Sequence, residues 1–338
     1  MSEHDPLMER LAEANPVPPS DVHGEGSSAT VDRLLADLTG GGARPSLEPR
    51  RSRPWKRSIV VATALVVVIV SITFVLQRAG DAPASASELL RRTAEVAANR
   101  RAPRIEGAYI YTMTKGEQLR TSNQGGDNWS VVLPVVEEMW VAENGSGRLR
   151  SVVGEPRFLG PRDRARWEAA GSPEFAAGVS DHTFPEGTLA YENANSLPAT
   201  LPELEGEVRE EVASRDVPID IAVFQRVGEL LSRSDAPPSL RAALYRLAAR
   251  LPGVSLIGDT TDASGRAGVA VGLTYKVSGA RVRVLMIFDE ETSALLSQER
   301  ILLDRAPWVD AEPGTRLASV TYLASGRVDS VHDDHLAL

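Results

Sequence analysis

Hydrophobic residues crowd most densely between Ser58 and Leu76. These nineteen residues hold no charge, proline or glycine, and thirteen of them are Val, Ile, Leu or Phe. A helix of that length rises about 28 Å, close to the roughly 30 Å hydrocarbon core of a bilayer. The β-branched run Val66–Val70 suits a helix in lipid, where the backbone has only internal hydrogen-bond partners. A buried core helix is the competing reading, but few such helices are apolar on every side for so long. Residues 58–76 are therefore expected to form one transmembrane helix.

Beyond the span the pattern turns mixed. Ser85-Ala86-Ser87-Glu88 has the form of a capping box and opens a helix over Leu89–Ala98. Strand-like stretches follow at Ile105–Thr112, Trp129–Leu133, Glu137–Ala142 and Arg148–Val153, with Pro134 separating the middle pair and Asn144-Gly145 offering a hairpin turn. Residues 160–200 are rich in Pro, Gly and Ala and read as a long loop with one short helix near Asp163–Ala169. Three helices come next: Leu201–Val212, Ile219–Ser232 and Ser239–Leu251. The last places Leu240, Leu244, Leu247 and Leu251 on one face, with Pro237-Pro238 before it and Pro252-Gly253 after it.

The final third alternates with period two. Val269, Val271, Leu273 and Tyr275 share one face, and after Ser278-Gly279 so do Val282, Val284, Met286 and Phe288. Ala294–Leu303 and Ala318–Ala324 complete an antiparallel meander with one buried face. The amphipathic helices are the available cover for that face. The fold class expected is α+β: a transmembrane helix followed by an outer domain with an antiparallel curled sheet packed on helices. The expected divisions are a cytoplasmic, largely disordered segment with short helices (1–57), the span (58–76), a linker (77–86), the extracytoplasmic domain (87–325) and a tail (326–338).

Charge sets the orientation. Arg44, Arg50, Arg51, Arg53, Lys56 and Arg57 precede the span and only Arg78 closely follows it, so the positive-inside rule puts the N-terminus in the cytoplasm and the C-terminal part outside. Ala82-Pro83-Ala84 and Ala84-Ser85-Ala86 resemble signal-peptidase sites, but a secretory signal has a short charged leader and an apolar stretch of about 7–15 residues. An uncleaved plasma-membrane anchor is expected.

In the cytoplasmic segment, Val31, Leu34, Leu35 and Leu38 follow a helical pattern that stops at Gly40-Gly41-Gly42. Residues 1–43 carry eight acids and two bases. They read either as a docking helix for a cytoplasmic protein partner or as a weakly helical tail whose basic end touches anionic lipid.

The whole chain is formally −9, which argues against a nucleic-acid partner. Cysteine is absent, so a His–Cys–Cys zinc site is excluded even though His4 and His23 are present. No Gly-x-Ser-x-Gly, Ser-x-x-Lys, phosphate-binding loop or His-Glu-x-x-His occurs. His182 lies in the Pro/Gly-rich stretch and reads as a solvated loop residue; His332 and His335 lie in the polar tail. The acidic runs Glu137-Glu138, Glu210-Glu211, Asp289-Glu290-Glu291 and Asp333-Asp334 read as solvated or as facing opposite sides of a strand. No catalytic, cofactor-binding or metal residues and no cofactor are expected.

Asn15-Pro16-Val17-Pro18-Pro19, the basic stop before one span, Leu240–Arg246 running into Leu251-Pro252-Gly253-Val254, Gly265–Ala270, and Ile287-Phe288-Asp289 before Leu295-Leu296 together resemble an uncharacterised family of actinobacterial single-span membrane proteins with an anti-sigma-factor-like layout. The order of helix and curled sheet is loosely similar to lipoprotein-carrier and sigma-regulator envelope domains. The resemblance implies a non-catalytic sensing or regulatory protein of the bacterial envelope, whose outer domain binds a ligand or protein. The alternative is a membrane-tethered carrier of a lipid or other amphiphile. Partners expected are the bilayer through 58–76, a cytoplasmic protein for residues 1–43, and an amphiphilic ligand of the outer domain.

The span and its orientation predict that protease added to intact cells digests the chain beyond residue 80. Full-length protein should also sediment with membranes and enter the supernatant only with detergent. Protection of the outer part, or full-length protein in a detergent-free supernatant, would contradict this topology.

Overall fold

A computed structural model of the chain describes residues 85–101, 106–122, 128–175 and 177–333. The expected span 58–76 and the cytoplasmic segment 1–57 lie outside them. Among the described residues no helix is long and apolar enough to cross a membrane.

The elements run α1 (Ala86–Ala98), β1 (Tyr109–Ser122), β2 (Trp129–Ala142), β3 (Gly147–Val153), α2 (Pro161–Ala169), β4 (Gly178–Phe184), α3 (Leu201–Glu211), α4 (Ile219–Leu231), α5 (Pro238–Arg250), β5 (Ser255–Thr261), β6 (Ala267–Val277), β7 (Ala280–Phe288), β8 (Leu295–Leu302) and β9 (Arg316–Val328). The nine strands form one open, curled antiparallel sheet in the order β4-β3-β2-β1-β9-β8-β7-β6-β5. It consists of two meanders, one on each side of the helical stretch in sequence, joined where the first strand pairs with the last. Tyr109 stands opposite Val328 and Glu117 opposite Ser319.

Helices α3, α4 and α5 each fall within a residue of their expected bounds. Helix α5 is central. Its Leu240, Leu244, Tyr245 and Leu247 are buried, along with four alanines that let α1 and α4 approach closely. Leu89, Leu90, Phe224, Val227 and Leu230 join the same core as Val271, Val282, Met286 and Phe288 of the sheet. At the N-terminus of α1 the Ser85 half of the expected capping box is present, its hydroxyl accepting from the Glu88 N–H at 3.2 Å, while the Glu88 carboxylate accepts from Arg92 at 2.7 Å.

The β7–β8 turn is tied to the helices by side-chain donors. The Tyr245 hydroxyl donates to the Ser293 carbonyl at 2.8 Å, and Arg100 donates to the Thr292 carbonyl at 2.8 Å. Arg241 donates to the carbonyls of Leu231, Arg233 and Ser293, closing the C-terminal end of α4 with a cation. Burial pulls the Arg241 guanidinium below its ordinary range and holds the Tyr245 phenol well above its own.

Four expectations need correcting. Pro134 does not interrupt β2, because its carbonyl accepts from the Gly154 N–H just past the end of β3, where no ladder bond needs the missing proline N–H. β1 continues past Thr112 through the polar stretch Lys115–Arg120, which the pairing with β2 carries to Ser122. The stretch 160–200 contains a strand, β4, and β5 lies in a stretch left without an element; both are sheet edges with little burial to impose a pattern. His182 therefore sits exposed on a strand opposite Leu149, not in a loop.

The face away from the helices carries a second, smaller cluster. Tyr111, Met113, Val136, Trp140 and Val152 pack there, and the Arg148 guanidinium lies 5.2 Å from the Trp140 ring centre. Arg148 also grips Asp181 of β4 at 2.6 and 2.8 Å, which holds the Asp181 carboxyl below its ordinary range. Residues after β9 close over this cluster: the Trp140 indole donates to the Asp333 carbonyl and Arg148 to the Val331 carbonyl.

Leu244→Ala is expected to destabilise the domain by about 2–5 kcal/mol through the cavity it leaves. Tyr245→Phe should cost about 1 kcal/mol for one buried hydrogen bond. Urea unfolding of the full chain in detergent, followed by tryptophan fluorescence, measures both.

Candidate functional site

Strand alternation sends Ile110, Thr112 and Thr114 of β1 to the helix-bearing face, together with Glu137, Met139 and Val141 of β2. They form three rungs, Ile110 opposite Val141, Thr112 opposite Met139 and Thr114 opposite Glu137. Leu149 of β3 lies beside Met139, and Tyr322 of β9 beside Thr114. A register shift in β9 between the partners of Met113 and Thr114 leaves Leu323 as the extra residue, so the alternation changes phase along this strand. Tyr322 remains on the cleft side while Leu323 and Ala324 pack on the opposite face.

Over this floor lies the polar side of α4 and the loop at 190–192. The space between is a cleft of about 320 Å³, roofed by Tyr191, Glu192, Arg226, Glu229, Ser232 and Arg233. A second cavity of about 250 Å³ lies between α4 and β7–β9 and shares Glu229 and Val320 with the first. Gln298 braces the helix over the sheet, donating to the Gln225 carbonyl at 3.1 Å and accepting from the Tyr322 hydroxyl at 3.0 Å. Gly228 makes room for it, since a Cβ there would lie 1.8 Å from the Gln298 amide nitrogen.

The roof is an ion-pair network. Arg226 reaches Glu192 at 2.7 Å, Glu211 at 2.9 Å and Glu229 at 3.4 Å. Arg215 forks onto Glu229 at 2.9 and 3.0 Å. Arg233 forks onto Asp235 at 3.1 and 3.0 Å and also bonds the Glu192 carbonyl. The floor differs from the roof. Met139 and Val320 are 41% and 37% exposed, large apolar side chains open to the cleft. Burial carries the Tyr322 phenol up to about 12 and raises the Glu137 carboxyl above its ordinary 4.5. Among the described residues no hydrogen bond or ion pair reaches the Glu137 carboxylate.

The adjacent acids Glu137 and Glu138 point to opposite faces, as their place in a strand requires. Glu138 is buried on the far side, where it accepts from the Tyr111 hydroxyl at 2.9 Å and pairs with Arg150 at 3.4 Å. Glu211 joins the roof; Asp289 instead caps its own turn, accepting from the N–H groups of Glu291 and Thr292. His182 lies on β4, and His332 in the turn after β9; neither lines the cleft. Asp334 and His335 lie outside the described residues. Met139, Arg226 and Val320 were not among the sequence candidates, and Glu137 was read there only as one of an adjacent acidic pair, because the cleft forms only where α4 and β9 come to the face that Glu137 and Met139 share.

No family model matches the chain, and no curated protein matches it. Several solved structures are similar to it. A chain of the Pseudomonas aeruginosa MucA/MucB complex is 14% identical with a TM-score of 0.25, covering 72% of this chain and 58% of that one. A DUF1329 family protein from Desulfovibrio piger is 11% identical with a TM-score of 0.18, covering 72% of this chain and 92% of that one. A LolA superfamily protein from Nitrosomonas europaea is 9% identical with a TM-score of 0.15, covering 73% of this chain and 96% of that one. This chain thus spans little more than half the length of the MucA/MucB chain. The family resemblance read from the sequence has no match among the family models.

A carboxyl with a raised folded pKa binds its proton more tightly in the native state. Its ionisation therefore penalises folding above that raised value, and the penalty fades as the pH falls through it toward 4.5. Glu137→Gln is expected to raise the melting temperature near about pH 7, with the gain shrinking on acidification and vanishing once both carboxyl states are protonated. Thermal scans of wild type and variant across pH test this; a lower melting temperature for the variant at neutral pH would contradict it.

Proposed function

We propose that the chain is a non-catalytic, single-pass protein of the bacterial plasma membrane, with residues 1–57 in the cytoplasm and the α+β domain outside. In this reading the domain binds a ligand or a protein segment in the cleft beneath α4, and residues 1–43 relay occupancy to a cytoplasmic partner. The observation that carries it is the contrast within the cleft. Met139 and Val320 stay exposed on the floor although a helix lies above them, and water-exposed apolar surface in a concavity favours an occupant. The roof arginines are already neutralised by carboxylates, and among the described residues no histidine lines the cleft, which supports binding over acid–base chemistry.

The carrier alternative needs room for a lipid tail. A cleft of about 320 Å³ lies at the low end of the roughly 300–1,000 Å³ seen for small-molecule sites, which favours a small occupant over a whole two-chain lipid.

Met139→Asp combined with Val320→Asp should abolish occupancy while leaving the fold intact by circular dichroism. Native mass spectrometry of the full chain released from membranes should find a bound molecule in wild type and none in the double variant. Wild type that is always empty counts against the cleft as a site. Deleting residues 1–43 should abolish any cellular output that depends on the outer domain; an unchanged output favours the carrier.

A further inference from the structure

We propose that the cleft selects a small monocationic amphiphile, a single ammonium-like group on a short hydrocarbon body, with Glu137 as its counter-ion. This rests on the cleft being the binding site and adds the class of molecule it takes. Most of the charges around the cleft are already satisfied. Glu192 and Glu229 are held by Arg226, Arg233 and Arg215, and Arg226 and Arg233 in turn have two or more carboxylates each. An anionic headgroup would have to displace a carboxylate from an arginine that already has its partners, exchanging one ion pair for another. Glu137 is different. It lines the cleft, is half-buried, and has no partner among the described residues, so a cation entering there gains an ion pair without breaking one.

The floor also has a direction. Along β1 and β2 the rungs run from Thr114–Glu137 through Thr112–Met139 to Ile110–Val141, from polar and charged to wholly apolar. Alternate residues on a strand are about 6.8 Å apart, so the three rungs span about 14 Å, matched to a headgroup at one end and a short alkyl body along the rest. Leu149, Val320 and Tyr322 flank that path. Ser151 stands opposite Glu137 on β3, placing a second hydroxyl-bearing residue beside the charged rung. On a larger scale, residues 77–338 hold 37 acidic and 29 basic side chains, a field that concentrates cations near the domain. Desolvation of the Glu137 carboxylate acts in the same sense, since a bound cation restores what burial removed.

The test uses the full chain in nanodiscs, with empty nanodiscs as the blank, titrated by calorimetry with octylammonium, octanol and octanoate. Octylammonium is expected to bind at least about tenfold more tightly than the other two, and Glu137→Gln should bring the three within about twofold. Octanoate binding as well as octylammonium, or a preference that survives in Glu137→Gln, overturns the assignment. If all three bind alike and Met139→Asp abolishes them together, the cleft stands as a site and its charge selection falls. If none binds above the blank, both the selection and the cleft reading fall.

Discussion

Strand β1 pairs with β9, and this single seam turns two separate meanders into one sheet. Without it β1–β4 and β5–β9 would each present a free edge where Tyr109 now faces Val328, and neither half alone would have the width to curl beneath the helices. The seam also sets the cleft. The extra residue at Leu323 shifts the phase of β9, so that Val320 and Tyr322 join Ile110, Thr112 and Thr114 below α4 while Ala324 and Val328 turn to the other face.

The helices then fill one side of the sheet unevenly. α5, with its leucines and alanines, is buried among α1, α3 and α4, and most of the core lies against β6–β8. Over β1–β3 the helical layer thins to the polar side of α4. A concavity persists there because the roof is made of ion pairs, which need room and hydrogen-bond geometry, not close apolar packing. Binding surface and packing deficit are the same feature in this domain.

Arginine does much of the joining between distant segments. Arg148 links β3 to β4 and to the residues after β9; Arg226 gathers the loop at Glu192, the end of α3 and its own helix; Arg241 closes α4 onto the β7–β8 turn. The planar guanidinium suits this use, since one side chain can satisfy two or three acceptors at once. Lysine is present only at positions 56, 115 and 276, and none of these joins is made by one.

Local pattern carried much of this fold. The period of about 3.6 in α3, α4 and α5, the period of two in β6 and β7, the Ser85 cap and the turn at Asn144-Gly145 could all be read from neighbouring residues, because each depends on contacts a few positions apart. The edge strands β4 and β5 and the passage of β2 through Pro134 could not, since edges lack a buried face and the proline is tolerated only because of where β3 ends. The cleft was the least legible part. Glu137, Met139, Arg226 and Val320 are ordinary residues on three separate stretches, and only the β1–β9 seam and the approach of α4 over it bring them together. What the chain dictates through adjacent residues is therefore the helices, the central strands and the apolar run at 58–76. Which strands meet and what lines the space between them follow from long-range packing, which no short window of sequence encodes.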